Sequence, residues 1–133
     1  NNVSLLCFNC LKLIVVQEIE KSHQTGSQRP SFLLIPSILL HIGLKMGRID
    51  TSNNIVLPPD QFSIPEPLEK NTAIINNVFQ RVKIGFRIEV SREPDSEAQP
   101  RLVVVFAQKH PAEFYWRLSN SIEKYLVLEM SSS

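Results

Sequence analysis

Val82, Ile84, Phe86, Ile88 and Val90 alternate without a break with Lys83, Gly85, Arg87, Glu89 and Ser91. Successive side chains of a strand point to opposite faces, so this period of two specifies a strand with one buried and one wet face. Such a strand needs a neighbour and a cover, and both follow in the sequence. Leu102 to Ala107 is a continuous apolar run that asks for burial on both faces. Between the two, Arg92 to Pro100 carries Pro94, Pro100 and three carboxylates and reads as a polar turn. His110-Pro111 then opens a helix whose stripe of Phe114, Leu118, Ile122, Tyr125 and Leu126 recurs at steps of four, four, three and one. Burying each of these large side chains is worth about 1.5 to 3 kcal/mol in transfer terms, enough to hold helix to hairpin.

The fold expected is therefore α+β. N-terminal helices precede an antiparallel β-hairpin, at about 81–91 and 101–108, packed by a C-terminal amphipathic helix at about 111–128. At 133 residues and 43% hydrophobic the chain can bury a core without cross-links, and residues 1–133 are read as one domain. The start at Asn1 marks a trimmed chain or a piece of a longer one.

The N-terminal half carries weaker periodicities. Ser4 can cap a helix running toward Lys21, although the β-branched run around Ile14 to Val16 equally suits a buried strand. Residues 22–30, with Gly26 and Pro30, read as a loop. Pro36, which suits a first turn, begins a helix to Met46, with Gly47 as a left-handed stop. Arg48 to Leu68 holds four prolines and reads as a connector with one short strand at Ile55 to Leu57. Asn71 or Thr72 caps a short helix carrying Ile74, Ile75, Val78 and Phe79. The apolar stretch Ser31 to Met46 is shorter than the roughly 20 residues a spanning helix needs, so no transmembrane segment is expected.

Chemistry is sparse. Cys7 and Cys10 have the C-x-x-C spacing of redox motifs and of half a zinc site, but no second cysteine pair exists and His23, His41 and His110 are scattered. Inside an apolar run the two cysteines read as buried small hydrophobes. Two cysteines are also too few for the disulfide framework of a small secreted domain, which favours an intracellular, cytoplasmic or nuclear, location. None of the four glycines falls in a phosphate-binding loop. No catalytic residue, metal ligand or cofactor contact is nominated.

Charge is balanced overall at +1, but Arg81, Lys83, Arg87 and Arg92 set four cations against Glu89 along the predicted strand. These four are the expected contacts for an anion or a nucleic-acid backbone, if the chain binds one. The favoured reading is a non-enzymatic protein interaction or assembly module that docks another protein, or a second copy of itself, through apolar helix surface or the open hairpin edge. One alternative is a nucleic-acid-binding domain that uses the basic strand. Another is a small enzyme with a site assembled from dispersed residues, which requires a concave pocket holding a histidine or cysteine beside a carboxylate.

Overall fold

The computed structural model describes residues 6–25, 34–58, 68–82, 85–91 and 100–131. Helix α1 spans Phe8–Thr25 and α2 spans Leu34–Met46. Two short strands follow, β1 at Arg48–Ile49 and β2 at Ile55–Val56, then α3 at Leu68–Val82. The hairpin consists of β3 at Phe86–Ser91 and β4 at Arg101–Phe106, and α4 at Ala112–Ser131 closes the chain. The strands form one antiparallel sheet in the order β1-β2-β4-β3. The architecture is α+β as expected, with the hairpin and the helix after it in their expected places.

The sheet is larger than the sequence reading allowed, because the proline-rich connector contains a second hairpin. Asp50 makes its turn: the carboxylate Oδ1 accepts the backbone N–H groups of Ser52 and Asn54, both at 2.9 Å. Asn53 occupies the left-handed region at φ 64°, a conformation that asparagine tolerates better than most side chains. β2 then lies beside β4, with Ile55 opposite Val104 and Val56 opposite Val103. This pairing makes β4 an interior strand, so Leu102 to Phe106 are all buried.

Side chains of directly opposed residues share a face of the sheet. The inner face carries Phe86, Ile88, Leu102, Val104, Phe106 and Ile55. There it joins a core built from Leu11, Val15 and Ile19 of α1, Ile35, Ile38, Leu39 and Ile42 of α2, Ile75, Val78 and Phe79 of α3, and Tyr115, Ile122 and Leu126 of α4. The spacings 11, 15, 19 and 75, 78, 79 are helical, which settles the first segment as helix rather than strand. Phe106 anchors the hairpin to α4 through edge-on contacts with Phe114 and Tyr115, at centroid distances of 6.4 and 5.2 Å. The longer partner of α4 is α2, while α3 lies along β3.

Several boundaries move. Val82 ends α3 instead of opening a strand, four residues on from Val78 in the helix. Gly85, at φ 75°, separates the two elements. Asn71 and Thr72 lie inside α3 rather than at its cap, and the Thr72 hydroxyl donates to the Leu68 carbonyl one turn back at 2.6 Å. Residues 22–25 extend α1 into the expected loop, and the His23 ring there bonds the Asn71 side chain at 2.7 Å. Gly47 is not left-handed; its N–H completes α2 by donating to the Gly43 carbonyl at 2.9 Å, and a β-carbon there would run into the Val56 carbonyl.

The edge of the hairpin also differs from the open one expected. The register that joins Ala107 N–H to the Gly85 carbonyl turns the backbone groups of Ile88 away from β4. Asn76 of α3 takes both of them. Its Nδ2 donates to the Ile88 carbonyl at 2.9 Å and its Oδ1 accepts the Ile88 N–H at 2.6 Å. An incoming strand would meet a paired residue at the middle of this edge.

Candidate functional site: a helix groove and a neighbouring dithiol

The four cations nominated from the sequence do not form one described row. Arg81 stands on the last turn of α3, exposed. Arg87 is on the outer face of β3, where its guanidinium meets the Glu89 carboxylate at 3.2 Å. Lys83 and Arg92 lie outside the described residues. Sequence reasoning missed two other arginines. Arg48 opposes Val56 and Arg101 opposes Ser91, so both join Arg87 on the outer face, around a small buried cluster of Val56, Val103 and Val105. The β1–β2 hairpin recruits Arg48, and its signal was the run of turn formers from Asp50 to Asn54.

A groove runs along the contact between α2 and α4. Trp116, Glu123 and Val127, spaced by seven and four, share one flank of α4. Lys45 and Met46 stand across from them on α2. Lys45 Nζ and Glu123 Oε2 bridge the groove at 3.5 Å, both half exposed. On one side of this bridge is a cleft of about 330 Å³ that includes Leu6, Phe8, His41, Met46 and Val127. On the other is a cleft of similar volume between Ile49, Tyr115, Trp116 and Ser119. Much of the apolar rim faces solvent: Trp116 is 67% exposed, Ile49 51% and Met46 44%, with Leu128 beyond them at 70%.

His41 is buried in the first cleft, and its Nδ1 has no hydrogen-bond partner among the described residues. Burial holds its pKa below the ordinary 6.5; Glu123 opposes that shift and Lys45 adds to it. A histidine beside a carboxylate in a concave site is the feature that the enzyme alternative requires. Among the described residues Nδ1 has no hydrogen-bonded orienter of the kind that sets the tautomer of a general base.

The cysteines are exposed rather than buried. Helix α1 sends Leu11, Val15 and Ile19 inward, which leaves Cys10 off the apolar stripe and Cys7 just ahead of the first turn. The Cys7 carbonyl accepts the Leu11 N–H at 3.1 Å, making Cys7 the N-cap residue. Its Sγ accepts the Cys10 N–H at 3.3 Å and lies 2.7 Å from the Cys10 Sγ. These two contacts, the neighbouring thiol first, hold the Cys7 pKa below its ordinary value, and the same pairing raises that of Cys10. The pairing thus favours ionisation at Cys7 over Cys10. Leu6 and Phe8, on either side of Cys7, line the His41 cleft.

Comparison of the chain with family models, with curated proteins and with solved structures finds no match. Among the described residues no group of three or more His, Cys, Asp or Glu side chains could hold a metal ion, and no helix is long and apolar enough to cross a membrane.

Proposed function

We propose that the chain is an assembly module that pairs with a second copy of itself through the α2–α4 groove. The observation that carries this reading is Trp116, two-thirds exposed beside Ile49 in the cleft on one side of the Lys45–Glu123 bridge, with the half-exposed Met46 in the cleft on the other. Aromatic and methionine side chains are enriched where proteins meet, and exposed tryptophan is a frequent energetic anchor. A second copy fits because a two-fold interface must complement itself. Lys45 and Glu123 supply one cation and one anion at the centre of the groove, so each can meet its opposite across a dyad. A formal charge of +1 leaves little repulsion between copies. An intracellular, cytoplasmic or nuclear, location accompanies this reading, supported by two cysteines that are both free thiols.

Sedimentation across a concentration series tests it. The dimer is expected to dissociate at least about tenfold more readily in Trp116→Ala, the loss of a typical interface anchor. Lys45→Glu is expected to weaken it and the double exchange Lys45→Glu with Glu123→Lys to restore it. A monomer at every concentration would sink the proposal.

A second reading rests on the outer sheet face, where Arg48, Arg87 and Arg101 outnumber Glu89. Such a face could follow a phosphate backbone. Binding to a mixed nucleic acid that falls steeply with salt, and that Arg48→Glu with Arg101→Glu abolishes, supports it; no binding at low salt rejects it.

A further inference from the structure

We propose that Cys7 and Cys10 form a reversible dithiol–disulfide couple that exchanges with an accessible disulfide of another molecule, with Cys7 as the attacking sulfur. The argument is independent of the groove. It begins with placement, since C-x-x-C at the very start of a helix brings the two sulfurs together where solvent and reactants reach them. The sulfurs stand 2.7 Å apart, less than one ångström from the roughly 2.05 Å of a covalent S–S bond. Closure therefore needs side-chain rotation and no rearrangement of the fold.

The same placement makes the two sulfurs unequal. Cys7 Sγ occupies the position of a capping oxygen, where the Cys10 N–H points at it and the unpaired amides of the first turn favour negative charge. Cys10, one turn into the helix, has no such position and instead supplies a hydrogen bond to its neighbour. A thiolate is the nucleophile in disulfide exchange, so the sulfur that ionises first attacks first.

The step balances without a metal or an added cofactor. The Cys7 thiolate attacks one sulfur of a disulfide RS–SR; a Cys7–SR bond forms, the S–S bond of the reagent breaks, and one thiolate leaves and takes a proton from water. Cys10 then gives its proton to solvent and attacks Cys7 Sγ, which expels the second thiolate. The protein loses two electrons and two protons, and the disulfide becomes two thiols. The reverse sequence reduces the protein again.

Oxidised and reduced glutathione at graded ratios serve as the probe, with acid quenching and mass measurement of the whole chain. A product lacking two hydrogens should rise through a single midpoint and return on reduction, with no adduct accumulating. Cys10→Ser should instead trap one glutathione on Cys7. At neutral pH Cys10→Ser, which retains Cys7, should be alkylated by iodoacetamide on the order of tenfold faster than Cys7→Ser. Circular dichroism checks that both variants keep α1; if either does not, limiting iodoacetamide on the unaltered chain, followed by peptide mapping, should label Cys7 before Cys10. Stable glutathione adducts on the unaltered chain, disulfide-linked dimers in place of the internal bond, or equal labelling of the two sulfurs would overturn the proposal.

Discussion

Helices α3 and α4 are both amphipathic, yet they use their apolar residues differently. α3 lies along β3 and leaves none of its described large apolar side chains exposed. α4 sends Tyr115, Ile122 and Leu126 into the core but keeps Trp116, Tyr125 and Leu128 substantially in solvent. In α3 the fold consumes the described apolar face, and the Asn76 amide closes the sheet edge. α4 carries more apolar surface than the fold consumes, and the Trp116 part of that surplus lines the groove with α2. The contrast separates residues that the fold needs from residues it leaves available.

The largest expected effect tests the consumed surface. Phe79, 1% exposed at the centre of the core, should cost about 3 to 5 kcal/mol on truncation to alanine, read from chemical denaturation. A loss under one unit would mean that α3 is not the buried helix of the pair. Asn76→Ala is expected to cost about 1 to 3 kcal/mol, because it strands the N–H and carbonyl of Ile88 together. Amide exchange at Ile88 should accelerate in step with that loss, and unchanged protection would break the assignment.

A smaller effect belongs to the α2 wall of the groove. Burial depresses the His41 pKa below 6.5, so in acid the unfolded chain takes up a proton that the folded chain refuses. Stability should therefore fall as the pH drops below about 6.5, with a slope of at most about 1.4 kcal/mol per pH unit from this group. His41→Leu should flatten that part of the profile, and an identical profile would show that the imidazole is not held neutral. The smallest effect sharpens the comparison most: Trp116→Ala should change stability at low protein concentration by no more than about 0.5 kcal/mol, since the ring is mostly in water.

The same contrast explains what the sequence made legible. Alternation from Phe86 to Ser91 assigned both the strand and its inner face, because a period of two states which residues turn inward. The stripe Ile75, Val78, Phe79 did the same for α3. Val82 was misplaced because it satisfies both patterns, two residues from Ile84 and four from Val78. Leu11 to Val16, apolar on nearly every side, carries little period of its own, and long-range packing against α2 and α3 decided it. The candidate site was least legible for the same reason. Cys7 and Cys10 looked buried in an apolar run until the helix phase turned them outward. Lys45 and Glu123 stand far apart in sequence and meet only when α4 packs on α2, so no local motif announces the groove.

Asn76 gives the molecule a vulnerability to age. Side-chain amides hydrolyse slowly in water, and deamidation at this position would turn the amide into a carboxylate. The new oxygen could still accept from Ile88 N–H, but the donor to the Ile88 carbonyl would be gone, and two oxygens would face each other where a hydrogen bond had been. The edge of β3 would then be least protected in the oldest molecules, with a backbone acceptor newly open to any passing strand. The protection of the β3 edge is thus tied to the covalent integrity of one amide group.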